Sequence, residues 1–378
     1  MPCKLAITSM SLGRCQAGHS LIHKLDMAHH HGYRGIELFH DDLSALASDL
    51  TPTTDTNEED KELAAAHLVR QLCADRDLTI ICLQPLLHYE GLLDRAEHAC
   101  RLAQLTRWFA LARALGTDMI QIPSSFLPPS QVSRSRAAAV ADLRLAADMG
   151  LAQRPTPVRF VYEALCWGTR CDTWEESWEV VRDVDRPNFG LCLDTFNILG
   201  RVWADPQREG GEAPDAEEAL SRSLARLTDP AYFDVAKVFY VQVVDAERAP
   251  PGLLPGHGKR DDDEENWQPP RMTWSRNCRL FYGETDKGAY LPVERVAEVI
   301  FRELGYEGWV SMELFHKRMA DSDPDVPREL AARGAAAWVK LVRDMGLRTE
   351  EQEEKFKAKV PLSLTLAPFA EGRVSASL

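Results

Sequence analysis

Gly190-Leu-Cys-Leu-Asp-Thr-Phe-Asn-Ile-Leu-Gly-Arg201 is the plainest pointer to the architecture of this chain. Phe189 to Leu193 form a run without polar alternation that stops at a carboxylate, Asp194, and passes into a polar turn. A run of this kind predicts a strand covered on both faces, as in a parallel sheet. A carboxylate at the C-terminal end of such a strand stands where α/β barrels keep their chemistry. Three other runs also end in a side-chain oxygen: Val158-Arg-Phe-Val-Tyr-Glu163, Phe239-Tyr-Val-Gln242 and Trp309-Val-Ser-Met-Glu313. Glu163, Asp194, Gln242 and Glu313 therefore sit on successive strand ends, and they are expected to converge on one divalent cation.

Strands and helices alternate along the rest of the chain. Lys4-Leu-Ala-Ile-Thr-Ser9, Gly35-Ile-Glu-Leu-Phe39, Leu78-Thr-Ile-Ile-Cys-Leu-Gln84 and Met119-Ile-Gln-Ile122 read as strands one to four. Ser20 to His31 reads as a helix with Ser20 as N-cap, and Thr56-x-x-Glu59 as the capping box of a helix through Arg76. Between Phe39 and Thr56 the reading is a loop. Further helices are expected over Leu92–Leu115, Ser133–Met149, Thr173–Val184, Pro214–Leu227, Pro292–Leu304 and Arg328–Met345. Eight alternations predict an α/β fold, a (β/α)8 TIM barrel, over residues 1–346 with no internal repeat or second domain. Two segments fall outside the pattern. Residues 245–291, after strand seven, are long enough to be a lid; Pro250 to Asn266 reads as solvated, whereas Arg271 to Tyr282 mixes aromatics with Arg and Ser, as a segment folded over a ligand would. Residues 347–378 read as a polar C-terminal extension that wraps the barrel or makes the chain a homo-oligomer.

Composition narrows the class. With 378 residues, 45% of them apolar, one large core is expected. No apolar run approaches the roughly 18 residues of a membrane span, and Met1-Pro-Cys-Lys-Leu lacks the layout of a signal peptide. Nine scattered cysteines with no CxxC pair predict reduced thiols and a cytoplasmic protein. A net charge of −14 disfavours a nucleic-acid partner. A small molecule is the expected partner.

An all-oxygen donor set suits Mg²⁺ or Mn²⁺ better than Zn²⁺. Any one strand-end acid is as readily an ion-pair partner, but three of them with an amide on successive strands are not, because strands disfavour Asp and Glu. The cation would act as a Lewis acid on an α-hydroxyketone and its developing enediolate, with Glu163 or Glu313 taking the proton. Arg201, Arg276 and Arg279 offer charge to an anionic substrate. Arg279 is favoured by its place among the lid aromatics, while Arg201 and Arg276 read equally well as surface residues. His88 and His316 lie just behind strand ends, where a lone His is more often structural than a base.

With these residues placed, the chain resembles the metal-dependent sugar isomerase/epimerase-like barrels and, within them, the 3-dehydroshikimate dehydratases of quinate and shikimate catabolism, of the fungal type. The resemblance spans about Lys4 to Lys340. Gly35-Ile-Glu-Leu-Phe39, Gln84-Pro85, Tyr89-Glu-Gly91, Tyr162-Glu-Ala-Leu165, Trp167-Gly168, Leu193-Asp-Thr-Phe196, Thr273-Trp-Ser-Arg276 with Arg279, and Met312-Glu-Leu-Phe315 carry it. The Glu–Asp–Gln–Glu set is common to the superfamily, whereas Trp-Ser-Arg-x-x-Arg is selective for the dehydratases. The resemblance implies Glu163, Asp194, Gln242 and Glu313 as metal ligands, and Ser275, Arg279 and Gln84 as substrate contacts. Bacterial relatives carry a His three residues after the Asp ligand; here that position is Asn197, which leaves proton transfer to Glu163, Glu313 or His88. The implied substrate is an anionic cyclic hydroxyketone acid, 3-dehydroshikimate, dehydrated to protocatechuate through a metal-stabilised enediolate, with Arg279 and Arg201 holding its carboxylate. The dioxygenase-like domain fused to some bacterial members is not expected. Alternatives are a keto-sugar isomerase or epimerase, disfavoured by the lid arginines, and a non-catalytic metabolite-sensing barrel, disfavoured by the intact ligand set. A DNA-repair endonuclease is disfavoured by the charge.

Overall fold

A computed structural model of the chain describes residues 2–50, 57–254 and 268–349. The eight expected apolar runs are all strands: β1 (Lys4–Thr8), β2 (Gly35–Phe39), β3 (Thr79–Gln84), β4 (Met119–Pro123), β5 (Arg159–Glu163), β6 (Phe189–Asp194), β7 (Val238–Gln242) and, after a short hairpin of β8 (Val244–Ala246) and β9 (Arg279–Phe281), β10 (Trp309–Met312). They close in the order β1-β10-β7-β6-β5-β4-β3-β2, every pair parallel. β6 is buried at every position, as an uninterrupted run covered on both faces requires.

The period of two along a strand positions the site. Ala6, Ile81, Cys82, Met119, Val161, Cys192 and Tyr240 form a small apolar cluster separate from the main core between sheet and helices. Two residues beyond Val161, Cys192 and Tyr240 stand Glu163, Asp194 and Gln242, which face the same way one layer higher. The same step from Ala6, Cys82 and Met119 reaches Thr8, Gln84 and Gln121. An apolar layer thus carries a polar one at the C-terminal mouth.

Helix starts follow local capping. Ser20 accepts from His23 N at 3.3 Å ahead of α1 (Leu21–His30). Where a loop was expected after β2 the chain forms α2 (His40–Leu50), because Leu43, Leu46 and Ala47 fall on one helical face and are buried. The capping call on Thr56 lies outside the described residues; Asn57 caps α3 (Glu58–Ala74), accepting from Glu59 N at 3.3 Å. The ring continues with α4 (Arg95–Leu115), α5 (Arg136–Leu151) and α6 (Trp174–Val184), the last capped by Thr173. The expected polar turn after Asp194 is α7 (Thr195–Val202): Asp194 Oδ1 accepts from Phe196 N at 2.8 Å and opens a helix. α8 (Ala216–Leu227) follows.

The segment read as a lid is tied down at both described ends. β8 pairs antiparallel with β9, and α9 (Pro270–Cys278) delivers the chain into β9. Asp245 fixes the return, its carboxylate accepting from Ala246 N at 2.7 Å and Leu291 N at 2.9 Å. Residues 255–267, including most of the stretch read as solvated, lie outside the described residues. α10 (Val293–Glu298) runs into a π-helical turn, and α11 (Val326–Met345) closes the ring. Cys3 then pairs with Thr349. The C-terminal extension from residue 350 lies outside the described residues. Among the described residues no helix is long and apolar enough to cross a membrane.

One buried acid yields a stability test. Glu90, 4% exposed, accepts from Ser125 N at 2.7 Å and Tyr162 OH at 3.1 Å, and burial pushes its carboxyl up to about 7. A folded-state value above the unfolded one means stability is fully present below about pH 4.5 and drains away as pH rises through 7. Between pH 5 and pH 8 the melting temperature of Glu90→Gln should therefore gain on the parent by roughly a few degrees. Parallel melting curves over that range would remove the burial argument.

Candidate active site

The strand-end acids meet. Glu163, Asp194 and Glu313 are buried and offer carboxylate oxygens within 4.8 Å of one another. Gln242 is in register with Asp194 on one side and Ser311 on the other. Its Nε2 donates to Glu37 Oε2 at 3.0 Å, while its carbonyl Oε1 is buried and accepts from no one. Three carboxylates and an unsatisfied amide carbonyl make an all-oxygen donor set, so the residues fit a hard divalent cation.

Neighbours brace the cluster. Asn197 Nδ2 donates to Glu163 Oε1 at 2.8 Å and to Asp194 Oδ2 at 2.7 Å, and its Oδ1 accepts from Cys166 N at 3.0 Å. Gln121 Nε2 donates to Glu163 Oε2 at 2.6 Å. The Arg279 guanidinium lies over Phe196 and Phe315, pairs with Asp194 Oδ2 at 2.9 Å and Glu313 Oε2 at 3.1 Å, and donates through Nε to Ser275 Oγ at 3.0 Å. Burial pushes the Glu163 carboxyl well above the usual range, with the nearby Glu313 and Asp194 charges adding to it. Burial also pushes Glu313 up to about 8, against the opposing pull of Arg279. One guanidinium does not balance this many buried acids; a divalent cation among them would.

Above the cluster opens a cavity of about 120 Å³, several times the roughly 10–15 Å³ that one water needs. Gln84, Gln121, Glu163 and Glu313 form its polar floor, Phe39, Leu165, Trp167 and Phe315 are among its walls, and Ser275, Arg276 and Arg279 close the lid side. A small, flat, anionic molecule suits this lining.

The family model described as xylose isomerase-like TIM barrel matches residues 25–342. The chain belongs to that family. It is similar to the 3-dehydroshikimate dehydratase of Neurospora crassa, at 55% identity over 353 residues that cover 93% of this chain and 96% of that protein. Similarity to the Pseudomonas aeruginosa protein of the same name is 29% over 297 residues, 79% of this chain and 36% of that protein. Among solved structures, a xylose isomerase-like TIM barrel/4-hydroxyphenylpyruvate dioxygenase fusion protein superposes with a TM-score of 0.64 at 24% identity, over 97% of this chain and 46% of its own. The chain thus spans about a third and about half of those two longer proteins.

Within this family frame, the site gathers Gln84, Glu163, Asp194, Asn197, Gln242, Ser275, Arg276, Arg279 and Glu313. It does not gather Arg201 or His88. α7 carries Arg201 away from the mouth, to a 2.7 Å ion pair with Asp172. His88, with a left-handed φ of 53°, sets its ring against Phe126 and its Nδ1 3.4 Å from Ser125 Oγ. Burial pushes His88 down to about 4, and it does not line the cavity. His316 caps a short helical turn, accepting from Arg318 N at 3.0 Å. Arg279, expected to read substrate, pairs its guanidinium with the Asp194 and Glu313 carboxylates instead. Arg276, three residues earlier in α9, lines the cavity with no hydrogen bond or ion pair among the described residues. Burial and the neighbouring Arg14 push its guanidinium down. Sequence reading missed Glu37 and Gln121, although both occur in strands it had placed.

Proposed function

We propose that this chain is a metal-dependent hydro-lyase that converts 3-dehydroshikimate into protocatechuate. The observation that carries the reading is 55% identity, over nearly the full length of both proteins, to the Neurospora crassa 3-dehydroshikimate dehydratase. Glu163, Asp194, Gln242 and Glu313 would hold the cation, for which their hardness favours Mg²⁺ or Mn²⁺; when bound it supplies a Lewis acid for the ketone and adjoining hydroxyl.

The chain's own groups do the rest. Glu163 or Glu313 takes the proton from the hydroxyl-bearing carbon beside the ketone. The proton passes to the departing β-hydroxyl, which leaves as water, and a ring proton shifts to oxygen to complete the aromatic ring. Phe39, Trp167 and Phe315 flank the ring and exclude water. Asn197 is an amide with no basic lone pair, so it positions Glu163 and Asp194 rather than moving protons. Arg276 takes the ring carboxylate, Arg279 being committed to Asp194 and Glu313. Nine cysteines without a disulfide fit a reducing, cytoplasmic setting.

Purified protein with 3-dehydroshikimate and Mg²⁺ or Mn²⁺ should develop the ultraviolet spectrum of a catechol acid. Epimerised keto-sugar in its place would favour the isomerase reading. A bidentate charged pair contributes about 1.5–3 kcal/mol, so Arg276→Ala should raise KM by about tenfold or more, with Arg276→Lys restoring only part. Steady-state kinetics with unchanged KM would return the carboxylate to Arg279.

A further inference from the structure

Glu37 has no role in the steps above, yet it lies beneath the ligand cluster at 0% exposure. No Lys or Arg pairs with it among the described residues; neutral donors hold it instead, Thr8, Cys82, Gln84 and Gln242 among them. Oε2 accepts from Gln84 Nε2 at 2.9 Å and Gln242 Nε2 at 3.0 Å, and Oε1 accepts from Thr8 Oγ1 at 3.1 Å. β2 and β7 are not neighbours in the barrel, so the bond to Gln242 crosses its interior.

A glutamine ligand has a difficulty that a carboxylate lacks. The two ends of its amide are alike in size, but only the carbonyl can ligate a cation, and the NH₂ end would repel one. Glu37 is the acceptor in its bonds with Thr8, Gln84 and Gln242, so it faces the NH₂ end of the amide and not the carbonyl. We propose that Glu37 is a positioning residue that turns the Gln242 amide, so that its unpartnered Oε1 faces the ligand cluster. Through Gln84 the same carboxylate also reaches the ligand Glu313, since Gln84 Nε2 lies 3.5 Å from Glu313 Oε1. Outer partners of this kind commonly change metal affinity by about 10–100-fold when lost. The inference rests on the metal-binding reading of the four strand-end ligands.

Mn²⁺ binding to the chelator-treated full chain, followed by calorimetry or by the electron paramagnetic resonance of free Mn²⁺, tests it without any turnover. Glu37→Gln keeps an acceptor for the amide and should bind within a few-fold of the parent. Glu37→Met removes the acceptor and should weaken binding by about 10–100-fold. Adding Gln242→Glu to Glu37→Met should restore most of the loss, because a carboxylate ligand has an oxygen at either end and needs no orienting. Should Glu37→Met not fold, Gln242→Glu alone is compared with Glu37→Gln/Gln242→Glu. The double variant should bind better, since its amide donates to the new carboxylate, whereas Glu37 opposes it. Parent-like binding by Glu37→Met, equal loss in Glu37→Gln and Glu37→Met, or no rescue at position 242 overturns the orienting role. Absence of Mn²⁺ binding by the parent chain overturns the metal reading itself, and this inference with it.

Discussion

Glu313→Gln is expected to lower kcat/KM by on the order of 10³-fold and to weaken Mn²⁺ binding in the same protein. The substitution is nearly isosteric, and the side chain is 3% exposed, so the fold should persist. What changes is chemistry. Arg279 donates to Glu313 Oε2 at 3.1 Å, and Gln84 Nε2 lies 3.5 Å from Oε1. An amide there must turn its NH₂ toward one of those donors. It also withdraws a charged ligand and one of the two candidate bases. Measuring affinity and rate together separates these roles: loss of rate with full Mn²⁺ affinity would make Glu313 a base and not a ligand. pH gives a second readout. Burial holds the Glu313 carboxyl up at about 8 in the metal-free chain, so protons compete with metal below that pH. Mn²⁺ affinity should therefore fall as pH drops from about 8 towards 6. A flat affinity over that range contradicts the assignment.

Asn197→Asp is expected to lower turnover by about 10²-fold while the chain stays folded. Asn197 Nδ2 bridges the Glu163 and Asp194 carboxylates at 2.8 and 2.7 Å. An aspartate replaces that double donor with an acceptor facing two acceptors. It also adds negative charge beside an oxygen on which negative charge develops during reaction. Asn197→His keeps a donor and should retain more activity than Asn197→Asp. Turnover of Asn197→Asp equal to the parent's, with an unchanged far-ultraviolet circular dichroism spectrum, would show that the brace is dispensable.

The barrel was legible because strands buried on both faces leave uninterrupted apolar runs, and β6 is the plainest of them. Ser20 and Thr173 marked helix starts because the cap is a local bond. The helix after β2 was legible in principle, from the spacing of Leu43, Leu46 and Ala47, but the Thr and Pro that follow drew the reading towards a loop. Asp194 illustrates a different limit. One carboxylate serves as strand end, helix cap and candidate ligand together, and a polar stretch does not announce a helix behind it. Glu37 and Gln121 could have been found by carrying the inward register of β5, β6 and β7 around to β2 and β4. The arginines could not be sorted from sequence. The chain changes from α9 to β9 between Cys278 and Arg279, and that junction sends Arg279 inward to Asp194 and leaves Arg276 facing the cavity. Arg201 belonged to α7, whose direction no local signal gave.

The most direct measurement is titration of chelator-treated protein with Mn²⁺ while protocatechuate formation from 3-dehydroshikimate is followed. Activity should be absent without metal, rise with added Mn²⁺ and saturate at one equivalent per chain. Full turnover by the metal-free protein would contradict the account.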